Sequence, residues 1–153
     1  MRYYFKLLLI TMSLSLTLTA CQKAPKLENL EGTWLYEHFE MTSKMDGEDY
    51  HSQNEDYDLS KAEGIVILQS ESGYTFAQKG YLNEQFEMIV EGNRIELPLR
   101  SILGIREWTI ESLSSTRMTL RAHTFNNHAR VPFSDIDRYL ETRALLTLVK
   151  QAE

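Results

Sequence analysis

The densest set of side chains able to do chemistry is the run DGEDYHSQNEDYD, Asp46 to Asp58, in which six carboxylates surround His51. Hard cations such as calcium take six to eight oxygen ligands, and a run of this kind can supply several. The spacing departs from the EF-hand loop, which needs glycine at its sixth position and a closing glutamate. Like charges in a loop mostly repel and extend it, so the expectation here is a solvated, mobile lid. A second set, HTFNNH, places His123 and His128 five apart, with His38 and His51 elsewhere. Without cysteine partners these histidines make no zinc signature, and they are expected on the surface or at a rim. No serine or cysteine nucleophile stands in a recognisable context, and there is no phosphate loop or dinucleotide fingerprint. Carboxylates are plentiful, but no pair is singled out for acid–base work. The expectation is a protein that is not an enzyme and carries neither cofactor nor metal.

The N-terminus reads as an address. Arg2 and Lys6 precede an apolar stretch of 12 residues, Leu7 to Leu18. That is signal-peptide length, and short of the roughly 20 residues a membrane-spanning helix needs. Leu18-Thr19-Ala20-Cys21 resembles the lipobox of bacterial lipoproteins, and Cys21 is the only cysteine in the chain. The resemblance implies cleavage before Cys21, a diacylglycerol on its sulfur and usually a third acyl chain, palmitate for example, on its amine. Burial is worth about 0.8 kcal/mol per CH₂, so two or three chains anchor stably where one is marginal. Gln22 stands where aspartate often marks inner-membrane retention. The expected location is therefore the outer membrane of a bacterial envelope, facing the periplasm.

Removing residues 1–20 takes away two basic groups and moves the formal charge from −6 to −8. An acidic domain of this kind is not expected to bind nucleic acid or anionic lipid heads through bulk charge. Three segments are expected: signal peptide 1–20, lipid-anchored tether 21–31 and one domain, 32–153.

The pattern of that domain is one of strands. GTWLYEHFEM (32–41) is aromatic-rich, GIVILQ (64–69) is β-branched, and YTFAQK follows across Ser70-Glu71-Ser72-Gly73, a turn by composition. Phe86, Met88 and Val90 alternate with Glu87 and Glu91; Gly92-Asn93 supplies turn residues, and Ile95 and Leu97 resume the apolar face. Trp108 and Ile110, then Met118, Leu120 and Ala122, repeat the alternation around Ser114-Ser115-Thr116. These spacings predict half-buried antiparallel strands. FSDIDRYLETRALLTLVK (133–150) reads either as one amphipathic helix capped by Ser134 or as a short helix followed by a strand at 144–150, the second being preferred because it supplies an eighth strand. Tight and long connections then alternate. In an up-and-down barrel that puts all the tight turns at one end and all the longer loops at the other.

Gly32-Thr33-Trp34 at the start of the first strand, followed by about eight short strands, resembles the lipocalins and more closely the lipocalin-like lipoproteins of Bacteroidetes. EWTIESLSSTRMTLR adds to that resemblance, which covers about residues 30 to 150. It implies an all-β, eight-stranded antiparallel barrel whose base is closed by Trp34 beside Gly32, with a cation packed on the indole. Lys150 stands where the family usually has arginine, and Arg143 is its rival. The set Tyr74, Phe86, Met88, Val90, Trp108, Ile110, Met118 and Leu120 is expected to face the interior, with Ile95 and Leu97. Side chains alone can fill an eight-stranded barrel. By analogy with the family, the same set lines a cavity for a small hydrophobic ligand. Two functions are carried forward, a non-catalytic binder of such a ligand and a filled barrel acting as a protein-interaction or inhibitor module, with a hydrolase of envelope lipids or glycans as a weaker third.

Overall fold

A computed structural model of the chain describes residues 26–61, 63–130 and 137–152, with the side chains of 126–130 and 137–138 left aside. Cys21, the signal segment and Ser134 lie outside the described residues, as does the side chain of His128. Nine strands follow a 3₁₀ turn at Leu27–Asn29: β1 (Gly32–Met45), β2 (Glu48–Asp56), β3 (Gly64–Ser70), β4 (Gly73–Gln78), β5 (Phe86–Glu91), β6 (Arg94–Glu96), β7 (Glu107–Leu113), β8 (Arg117–Arg130) and β9 (Asp137–Lys150). β1 and β3 to β9 pair in succession, and β9 returns to pair with β1 from Trp34↔Lys150 to Met45↔Leu140. The result is a closed, all-β, eight-stranded antiparallel barrel with up-and-down connections. Closure leaves no edge on the eight strands at the level where all of them pair.

For the connections between the eight barrel strands, the expected distribution holds. Ser70–Gly73, Glu91–Arg94 and Leu113–Arg117 turn at the end where Gly32 pairs with Ile67 and Trp34 with Lys150. The longer connections lie at the opposite end.

Two expectations need correction. The segment after Phe133 carries no helix over 137–143: β9 begins at Asp137 and pairs with β8 as far as Arg130↔Asp137. An apolar stripe compatible with a helix is here read by sheet partners on both sides, because β1 and β8 each extend 14 residues and need a neighbour of the same length. The acidic run 46–58 is no mobile lid either. β2 pairs with β1 from Met45↔Glu48 to His38↔Asp56. Asp46 and Gly47 carry φ of 55° and 88°, the two left-handed residues of a tight hairpin turn, for which Asp-Gly is a strong signal.

The outcome is a barrel with one tall side. β1, β8 and β9 run on past the short strands β4 to β7, and β2 adds a fourth member to this wall. On the edge of β1 away from β9, β3 pairs below Leu35 and β2 above His38.

Candidate functional site

The base is built from the residues that opened the first strand. Trp34 is fully buried, and its indole N–H donates to the Leu30 carbonyl at 2.8 Å. Leu30 is itself fully buried, so the packed domain begins a few residues before the expected tether boundary. The Lys150 ammonium stands 5.3 Å from the indole centroid and donates to the Asn29 carbonyl at 3.2 Å. Gly32 has φ of +134°, and a Cβ there would meet Lys150 Cε at 2.4 Å. Gly32, Trp34 and Lys150 therefore form one contact. Arg143, the rival cation, is exposed on the tall wall, paired across strands with Thr42 and bonded to Glu141. Sequence reading missed Gly64: a Cβ there would meet the Trp34 carbonyl oxygen at 2.0 Å, so only glycine lets β3 lie this close to β1.

The interior is packed. Met88, Trp108, Ile110, Met118 and Leu120 are each at most 2% exposed, which leaves no water-filled space against these side chains. Tyr74, Phe86 and Val90 are half-buried and pack against this cluster. Tyr36, also buried, lies 5.4 Å from Tyr57. Burial first, then the neighbouring Tyr57 and Glu63, push its phenol well above the usual range.

The top is stoppered by the connection between β6 and β7. Ile102 and Ile105 exchange backbone hydrogen bonds at 3.0 Å around Leu103 and Gly104, whose φ values are 51° and 82°. That tight turn buries Ile102 and Ile105 against the core, and Trp108 latches it by donating its indole N–H to the Ile105 carbonyl at 3.2 Å.

What the stopper leaves open is a concavity of about 470 Å³ at the rim, between the β4–β5 connection and the β6–β7 connection. Phe76 and Phe86 form its floor, 5.9 Å apart at a tilt of 47°. Tyr81 and Leu99, both largely exposed, stand on its margin. Arg100 and Arg106 line it as well. Arg100 lies over the Phe86 ring at 4.7 Å and reaches Glu84 at 3.7 Å, whereas Arg106 has no ion pair among the described residues.

A second concavity, about 680 Å³, lies on the tall wall across Glu40–Thr42, Ser52–Asn54, Arg121–His123 and Arg143–Leu145. Its basic side chains are spent on carboxylates beside it. His123 meets Glu141 at 2.8 Å, Arg143 meets the same carboxylate at 2.7 Å, and Arg121 meets Glu111 at 2.6 Å. The His123 hydrogen bond first, and Arg143 second, hold the Glu141 carboxyl below its usual range. His38 is likewise bonded to Asp56 at 2.6 Å. Among the described residues no three histidine, cysteine, aspartate or glutamate side chains converge as a metal site.

Comparison with family models, with curated proteins and with solved structures finds no match to this chain. The geometry of the chain itself has to carry the functional argument.

Proposed function

We propose that the chain is a lipid-anchored, lipocalin-like barrel of the bacterial envelope that binds a small amphipathic anion without catalysis, at its rim and not in its interior. The observation carrying this reading is the rim concavity, where the Arg100 guanidinium lies over Phe86 beside Phe76, and Arg106 is a second arginine of the lining. Its 470 Å³ falls in the range of small-molecule sites, and its lining is mixed, with polar and charged side chains around the two phenylalanine rings. On an acidic domain, an arginine without a carboxylate partner is the group that selects an anion. The packed core argues against the calyx that the family resemblance implies. The anchor at Cys21 is supported by the lipobox resemblance alone.

The test is calorimetric titration of the full chain in detergent with laurate, with dodecanol as a neutral partner of the same length. Laurate should bind saturably and more tightly than dodecanol. Arg106→Gln should weaken laurate about fivefold or more and leave dodecanol unchanged. Equal binding of the two, or an unchanged laurate affinity in both Arg106→Gln and Phe86→Ala, sinks the rim site.

A further inference from the structure

β2 pairs on one edge only, with β1, and its other edge carries no strand among the described residues. Eight of its nine residues are exposed, Gln53 alone being half-buried. An edge of this length presents a row of backbone N–H and C=O groups ready to pair with another chain. Its charges have a pattern. Glu48 and Asp49 stand at one end, Glu55 and Asp56 at the other, and Tyr50-His51-Ser52-Gln53-Asn54 lies between without a carboxylate.

That pattern discriminates between partners. A second copy of β2 paired antiparallel about Ser52 would set Glu48 against Asp56 and Asp49 against Glu55, and like charges directly opposite are destabilising. The edge thus resists its own copies while matching a strand with basic residues at both ends. From Asp49 to Glu55 the spacing is about 20 Å at roughly 3.4 Å per residue. Two of the four carboxylates are engaged at home, Asp56 with His38 and Asp49 with Lys44 at 3.7 Å. Glu48 and Glu55 make no ion pair with a cation among the described residues.

We infer that the free edge of β2 is a docking site for an extended basic segment of another protein, which adds to the sheet as a tenth strand with lysine or arginine at each end and small β-forming residues between. Main-chain hydrogen bonds hold such a segment, and the terminal charges choose it. This surface lies on the tall wall and does not depend on the rim site.

The experiment uses the full chain in dodecylmaltoside with fluorescein-labelled KRTVTVTKR, read by anisotropy at near-physiological salt. The expected result is saturable binding, with amide exchange across Glu48–Asp56 slowed tenfold or more. The peptide KRTVPVTKR, equally charged but unable to continue a ladder, should bind at least tenfold more weakly. Glu48→Lys combined with Glu55→Lys, both exposed, should cost the basic peptide tenfold or more in affinity. Four results overturn the proposal: no binding of KRTVTVTKR, equal binding of the proline peptide, unchanged exchange in β2, or association of the chain with itself through β2.

Discussion

A methyl group added at position 32 would meet Lys150 Cε at 2.4 Å, so the lysine side chain would have to shift off its place, and the backbone there has φ of +134°. Gly32→Ala is therefore expected to destabilise the fold on two counts, the steric displacement of Lys150 and a backbone conformation that side chains resist. The two separate in a double-mutant cycle. In the Lys150→Ala background the steric part disappears, so the Gly32→Ala cost measured by urea unfolding should shrink without vanishing; strict additivity would show that the lysine contact plays no part. Trp34→Ala removes a larger group and should cost about 3–5 kcal/mol, typical of a buried aromatic truncated to alanine. The Gly-x-Trp pattern was legible because the chain has only two tryptophans and this one follows a glycine at the start of the first strand-like run. Gly64 was not, since its reason lies 30 residues away, in the Trp34 carbonyl oxygen that leaves no room for a Cβ.

At the scale of elements, alternation found the barrel strands but could not find where it breaks. Strict period two from Trp34 and Tyr36 would send His38 and Glu40 inward. The register slip between Tyr36 and His38 against β9 sends Phe39 inward instead, and Met41 and Ser43 after it. A second slip between Ile110 and Ser112 does the same for β7, where Leu113 packs on the core. Neither slip has a local signature, because what fixes each is the neighbouring strand. The β6–β7 connection is comparable: SILGIREW reads as an unremarkable loop, yet Leu103-Gly104 turns it back on itself and seats two isoleucines on the core. Ile102→Ala should cost about 2–5 kcal/mol if this stopper is as well packed as its burial indicates. Trp108 emission should shift to the red as water reaches the loosened latch. A variant that is destabilised with unchanged emission would place the loss elsewhere.

For the molecule as a whole, the acidic charge and the barrel were readable from composition and spacing, whereas the location of binding surfaces was not. A list of inward-facing residues is the same for a filled barrel and a hollow one, and only the packing tells them apart. The whole chain should also show an asymmetric pH response. Tyr36 has its phenol pushed above the unfolded value by burial, so the neutral form is favoured in the folded state. Its contribution is complete below the unfolded value of roughly 10 and is lost as pH rises beyond it, because the unfolded chain then ionises first. Tyr36→Phe should flatten the alkaline limb of stability measured by urea unfolding between pH 9 and about 11. A limb of unchanged slope in that variant would assign the loss to other groups.

The start of β1 and the end of β9 emerge side by side, since Trp34 faces Lys150 across the ladder that closes the barrel. Tension applied between these two ends would open that ladder like a zipper, one hydrogen bond after another. Tension between the start of β1 and a strand gripped along β2 runs lengthwise instead, loading the whole β1–β2 ladder in shear at once. The same fold is thus mechanically weak across its seam and strong along its wall, and a partner held at β2 would pull in the direction of strength.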